Sequence, residues 1–179
     1  MSEQNETKEG QRITRAARAV DATDRRILGE LTADADLSYA ELGRRVALSP
    51  PAVHERVKRM RADGVIRATV VLADPTSVGK PMLAFVHVDT VGWGKSQALM
   101  ALAGLPELEE IHSVTGDTCM LLKVRVASSQ ALEGLLARLY ETPGVRSTRT
   151  YVALSTYLER PPQAGVSSGL DVDIALGDG

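Results

Sequence analysis

Residues 48–60 read LSPPAVHERVKRM, and the interpretation of this stretch decides the fold of the first half of the chain. Two prolines follow a serine, and the segment then repeats Val53, Val57 and Met60 at i, i+4 and i+7. That spacing gathers apolar side chains on one face of a helix. Ser49 fits the N-cap, Pro50 the first helical position and Pro51 the second, where amides have no intrahelical acceptor to lose. At about 100° per residue, the face turned away from the core carries Pro51, Glu55, Lys58 and Arg59, flanked by His54 and Arg56. The prolines mark a helix start, and the charge covers its solvent side.

Working outward, two further helices precede this one. In DATDRRILGELTADAD, opened by Asp21, the residues Ile27, Leu28 and Leu31 recur at helical spacing. Ser38 then begins S-Y-A-E, a capping box in which the hydroxyl accepts from the N3 amide while Glu41 reaches back. Tyr39, Leu42 and Val46 form the buried stripe of that second helix. After ADG, whose Gly64 suits a helix C-cap, VIRATVVLADP is rich in β-branched residues and ends at Pro75. Three helices and a strand or hairpin describe a winged helix-turn-helix over residues 20–74. Its third helix would enter the major groove N-terminus first.

The second half has a different period. MLAFVHVDT (82–90) reads as a strand, KSQALMALAGL (95–105) as a helix, and LEEIHSVT (108–115) and TCMLLKVRV (118–126) as strands. The short Gly116-Asp117 connection between the last two implies an antiparallel hairpin. Ser128 caps SSQALEGLLARLYE, with its stripe of Leu132, Leu135, Leu136 and Leu139, and VRSTRTYVALSTYL (145–158) reads as a long last strand. The order βαββαβ is that of a split-βαβ, ferredoxin-like sandwich. The chain is thus α+β: a winged helix-turn-helix, a linker at 75–80, and a ferredoxin-like domain at 81–160. His87 follows Leu83 and Phe85 in strand parity, on the sheet face opposite Val86 and Val88. In an open sandwich that face needs a partner, so His87 reads as an interface residue. A flexible N-terminal segment (1–19) and a flexible acidic tail (161–179), rich in Gly, Ser and Asp, complete the chain.

Composition narrows the functional classes. One cysteine, Cys119, excludes an intramolecular disulfide. The polar N-terminus lacks the apolar run of a secretory signal, and no apolar stretch approaches the roughly 20 residues of a membrane span. These features point to a cytoplasmic protein with no membrane partner. The net charge of −2 conceals an asymmetry. Arg44, Arg45, Arg56, Lys58, Arg59, Arg61 and Arg67 face only Glu41, Glu55 and Asp63 between positions 41 and 67. A basic module within an acidic chain is the distribution expected where one part meets phosphate. His54, His87, His112 and Cys119 show no metal-ligand spacing, and neither a Gly-rich phosphate loop nor a nucleophile elbow is present. No catalytic residue, metal or cofactor is expected.

Four blocks, DATDRRILGEL, AELGRRVALSPPAVHERVKRMRADGVI, VTGDTCMLLKVRV and TPGVRSTRTYVAL, resemble the Lrp/AsnC, or feast/famine, transcriptional regulators in order and spacing. The resemblance spans about residues 20–158. It implies an N-terminal DNA-binding domain and a C-terminal RAM domain that senses a small molecule, usually an amino acid. It also implies homodimers that assemble further, often into octameric rings of four dimers, with effectors bound between neighbouring dimers near the Gly-Asp hairpin.

Carried onto this chain, the effector-site candidates are Thr115, Gly116, Asp117, Thr118 and Cys119, with His112 on the approaching strand. Many family members read Gly-Asp-x-Asp here, whereas Cys119 stands at the second carboxylate position. That departure removes one natural partner for an ammonium group. The DNA-facing candidates are Ser49, Pro51, His54, Glu55, Arg56, Lys58 and Arg59, with Ser49 and Pro51 at a helix N-terminus where a backbone phosphate meets free amides. A dimer would set two recognition helices in successive major grooves of double-stranded DNA, roughly 34–36 Å apart, on a roughly palindromic operator. The competing reading is an amino-acid-binding or structural assembly protein whose basic helix has no DNA role. Salt-dependent DNA binding discriminates the two, because phosphate contacts release counterions.

Overall fold

Asp21 closes the first turn of α1 (Ala22–Ala33), accepting the Asp24 amide at 2.7 Å in the computed structural model, which describes residues 20–91 and 97–165. The expected N-terminal segment and residues 166–179 of the expected tail lie outside the described residues. The chain divides into two compact units, Met1–Val70 with Arg160–Gly179, and Val71–Glu159.

In the first unit, α2 (Tyr39–Val46) is capped by Ser38, whose hydroxyl accepts the Glu41 amide at 3.2 Å. Only half of the expected capping box forms. The Glu41 carboxylate turns to Arg44 and Arg45 instead, because a charge-assisted pair outweighs a neutral bond to the cap amide. Between α2 and α3 (Pro50–Ala62) the chain turns through Ala47, which sits in the left-handed region at φ 58°. The Leu48 amide donates to the Gly43 carbonyl at 2.9 Å. A Cβ on Gly43 would lie 2.5 Å from the Leu48 carbonyl oxygen, so only glycine admits this close turn. Ser49 caps α3, and Val53, Val57 and Met60 pack with Ile27, Leu42 and Val46 into one core. Gly64, at φ 74°, ends the helix.

The expected wing does not form. Residues 65–73 belong to no strand, and Val70, Val71 and Leu72 are exposed, Val71 at 92%. β-Branched residues favour extended backbone, but a strand forms only beside another that takes its amides and carbonyls, and among the described residues no strand pairs with this segment. The expected linker at 75–80 is a hydrogen-bonded turn. The Asp74 carboxylate accepts the Ser77 amide at 2.6 Å, and the Lys80 amide donates to the Pro75 carbonyl at 2.7 Å.

The second unit runs β1 (Met82–Thr90), α4 (Gln97–Ala101), a 3-10 turn at Leu102–Gly104, β2 (Leu108–Ser113), β3 (Met120–Val126), α5 (Ser129–Glu141) and β4 (Val145–Val152). The sheet order is β2-β3-β1-β4, antiparallel throughout, which is the ferredoxin-like sandwich expected from βαββαβ. Alternation does the sorting. Ala84, Val86, Val88, Met120, Leu122 and Val124 pack beneath Leu132, Leu135 and Leu139 of α5. The opposite face carries Leu83, Phe85 and His87, with Leu121, Lys123 and Arg125 beside them on β3 and Arg149 and Tyr151 on β4.

Three expected boundaries move. The helix expected over 95–105 is short within the described residues and tightens into the 3-10 turn. β4 ends at Val152 and not at 158: the Ala153 amide still donates to the Leu83 carbonyl at 2.9 Å. Pro81, just before β1, has no N–H to extend the ladder. The hairpin between β2 and β3 spans residues 114–119 and not Gly-Asp alone, closed by the Val114 amide on the Cys119 carbonyl at 3.1 Å.

Candidate nucleic-acid interface and effector site

α3 presents its N-terminal turn to solvent. Ser49 and Pro51 are exposed, and the Ser49 hydroxyl accepts the Ala52 amide at 3.4 Å. Glu55 and Lys58 are exposed along the same face, and Lys58 forms no ion pair among the described residues. His54 is exposed, its ring edge-on to Tyr39 at 5.3 Å and its Nδ1 3.4 Å from Glu55.

Arg56 and Arg59 lie on another flank, turned toward α1. The Arg56 guanidinium donates to Asp21 at 2.8 Å and to Asp24 at 2.7 Å, and Arg59 donates to Asp24 at 2.9 Å. The Asp24 side chain is 7% exposed, so its charge is tolerable only because two guanidinium groups meet it. The Arg56 hydrogen bond holds the Asp21 carboxyl below the usual carboxylate range, and Asp21 and Asp24 raise Arg56 in return. The sequence reading turned these arginines outward, and the structure places both on carboxylates of α1. Arg44 and Arg45 are likewise held, at 2.6 Å and 2.9 Å by Glu41, with Glu30 at 3.0 Å from Arg45. Of the seven basic residues between positions 41 and 67, only Lys58, Arg61 and Arg67 lack an acidic partner among the described residues. The sequence does not show Asp21 and Asp24 as charge partners, because 32 to 35 residues separate them from the arginines. Two acids at i and i+3 opening a helix were the one available signal.

The expected effector residues do not share one environment. Thr118 is buried, its hydroxyl donating to the Val88 carbonyl at 3.2 Å, and Cys119 packs against the apolar core. His112 is exposed and pairs with Glu110 at 2.8 Å. Thr115 and Gly116 are exposed, Gly116 at φ 128°. Asp117 is exposed and engaged: Arg149 of β4 donates to its carboxylate at 3.0 Å and to its carbonyl at 3.1 Å. Arg149 reaches Asp117 through the β1–β4 register, a long-range pairing that the local sequence pattern does not carry. A depression of about 410 Å³ lies elsewhere, beside β2, with Met100, Leu108, Glu109, Ile111 and Met120 in its lining. Among the described residues no cluster of His, Cys, Asp and Glu could hold a metal ion, and no helix is long and apolar enough to cross a membrane.

Residues 20–61 match the AsnC-type helix-turn-helix domain, and residues 83–163 match the Lrp/AsnC ligand binding domain. The leucine-responsive regulatory protein of Escherichia coli is 39% identical over 145 residues, which are 78% of this chain and 88% of that protein. The chain belongs to the Lrp/AsnC family. It is a DNA-binding transcriptional regulator. The HTH-type transcriptional regulator FL11 of Pyrococcus horikoshii is 32% identical over 140 residues, 78% of this chain and 93% of the relative. Among Lrp/AsnC structures, the feast or famine regulatory protein Rv3291c of M. tuberculosis complexed with L-methionine aligns at a TM-score of 0.75 and 35% identity, over 82% of this chain and 100% of that one. The NMB0573/L-Met complex of Neisseria meningitidis aligns at 0.73 and 28%, over 79% and 94%.

Proposed function

We propose that this regulator reads a roughly palindromic operator as a homodimer, with α3 in the major groove, and that an amino acid tunes its DNA affinity. The observation that carries the DNA reading is the solvent face of α3, where Ser49, Pro51, Glu55 and Lys58 stand exposed on a helix whose other side is seated in the core. Lys58 offers phosphate a charge with no acidic partner among the described residues, and His54, Glu55 and Lys58 stand on the solvent side of the helix, where side chains can meet base edges. Footprinting upstream of the protein's own gene, followed by anisotropy titrations at several salt concentrations, tests it. Affinity that does not fall with salt would exclude phosphate contacts.

For the effector, two relatives are seen with L-methionine. The hairpin supports a zwitterionic ligand here too: Asp117 offers a carboxylate for an ammonium group and Arg149 a guanidinium for a carboxylate. Coupling would be linkage, in which a ligand preferring one assembly shifts DNA affinity by its differential affinity for the two. Pairing of the open sheet faces would build the dimer, and dimers would assemble further, in the cytoplasm. Calorimetry with L-methionine on wild type and Asp117→Asn tests the effector reading, and equal heats from both would remove Asp117 from the site.

A further inference from the structure

We propose that Asp21 and Asp24 are specificity-determining residues, which withhold Arg56 and Arg59 from DNA phosphate and so lower binding to non-operator DNA. The proposal rests on the reading of α3 as the DNA-facing helix. Its ground is the four-residue cluster between α1 and α3. Arg56 bridges Asp21 and Asp24 through one nitrogen at 2.8 and 2.7 Å, and Arg59 meets Asp24 at 2.9 Å. Two guanidinium and two carboxylate groups sum to zero charge. The cluster adds nothing to the long-range attraction of the module for a polyanion, although it holds two of the four cations of α3.

Geometry separates the two roles on one helix. Taking Val53 as the core-facing direction, Lys58 lies at about 140° and Arg61 at about 80° around the axis, whereas Arg56 and Arg59 lie at about −60° and −120°. The second pair therefore points to the flank that α1 covers, and Asp24 on α1 is buried there. Lys58 and Arg61 sit on the far flank with no acid opposite them among the described residues. Non-operator binding is almost wholly phosphate attraction, whereas operator binding adds base contacts. Neutralising two arginines in place therefore costs the unspecific mode more than the specific one. The same carboxylates fix the angle of α3 on α1, so base-reading side chains approach in one register.

The test compares salt dependence with stability in the full-length chain, using one operator duplex and one scrambled duplex. Asp21→Asn keeps the α1 cap, since asparagine caps as well as aspartate, and removes one of the two charges facing Arg56, leaving it the Asp24 carboxylate that it shares with Arg59. It should steepen the logarithmic salt slope on scrambled DNA by about 0.9 for each Arg56 released to a phosphate. Its gain over wild type should then shrink about threefold between 50 and 200 mM salt. Asp24→Asn should act in the same direction on both arginines, and in both variants the operator-to-scrambled affinity ratio should fall. Arg59→Gln should leave the slope unchanged, while Lys58→Ala and Arg61→Ala each flatten it by about 0.9. A purely structural cluster would lower melting temperature without steepening any slope, and that result overturns the proposal. So does a slope in Arg59→Gln flattened as much as in Lys58→Ala. Should Asp24→Asn fail to fold, Asp21→Asn carries the decision alone. Unchanged slopes in Lys58→Ala and Arg61→Ala as well would remove α3 from the interface, overturning both readings; a failure confined to Asp21→Asn and Asp24→Asn overturns only this one.

Discussion

Gly43 shows how much a single residue can settle. Its missing side chain lets the Leu48 carbonyl approach to where a Cβ would stand 2.5 Å away, and this approach sets the tight turn from α2 into α3. Gly43→Ala should therefore destabilise the helical unit, although alanine is the better helix former by about 1 kcal/mol. The obstructing atom is backbone, and overpacking of this kind costs about 1–3 kcal/mol. Chemical denaturation should show a lower midpoint, and a midpoint above wild type would mean the turn opens freely. Asp117 belongs to the same scale. One charge-assisted hydrogen bond is worth about 1.5–3 kcal/mol, so Asp117→Asn should weaken amino-acid binding about tenfold to a hundredfold. Operator affinity without ligand should not change, because Asp117 and Arg149 are both outside the helical unit. Cys119→Asp, which puts a second carboxylate two residues after Asp117, should cost stability because Cys119 packs against the apolar core.

At the scale of elements, one carboxylate ties together the basic residues of α2. Glu41 accepts from Arg44 and Arg45, whose hydrogen bonds lower its pKa from 4.5 to about 2. A depressed acid contributes stability that is complete above its unfolded value and lost as the pH falls through its folded one. The contribution of Glu41 should accordingly be intact above about pH 5 and disappear toward pH 2. Glu41→Gln removes it at every pH, so the stability difference between variant and wild type should narrow on acidification, measured by urea denaturation at several pH values. A difference constant from pH 7 to pH 2.5 would show that the pair contributes nothing. The ion pairs of α2 are exposed and their worth is modest; what the measurement reads is the direction.

At the scale of the molecule, the sheet has one face packed and one face open. Phe85 and Leu121 lie half-buried on that face, next to the buried Leu83, with Tyr151 beside His87, their rings at 5.0 Å and 60°. His87 Nδ1 is buried there with no hydrogen-bond partner among the described residues. Arg125, with a side chain 9% exposed, sits on the same face between Glu109 and Glu159, and Lys123 meets the same two acids. An apolar surface bounded by satisfied charges is suited to a second copy. Tyr151→Glu should therefore convert a dimer to a monomer without changing the melting of the individual chain, because Tyr151 is exposed within it. Sedimentation at micromolar concentration checks this, and an unchanged dimer would place the interface elsewhere.

Local forces account for most of what the sequence determined by itself. The three helices, their caps at Asp21, Ser38 and Ser49, the proline start of α3 and the alternation of β1 all depend on neighbours within about four residues. That range is what a linear reading sees, and it sufficed for the order of helical unit and sheet and for the core faces of α1, α2, α3 and α5. The side chains expected at the sites fared differently because their fate depends on distant partners. Arg56 and Arg59 carry the same charge as Lys58, and the local pattern treats them alike. Only the packing of α1 against α3 brings Asp24 to them across more than 30 residues. Arg149 reaches Asp117 through the register of β4 on β1, and the residues after α3 form no ladder because no strand lies beside them among the described residues. Charge and β-propensity are properties of a residue; whether a charge is spent on a carboxylate or an extended segment finds a ladder is decided by which surfaces the fold brings together.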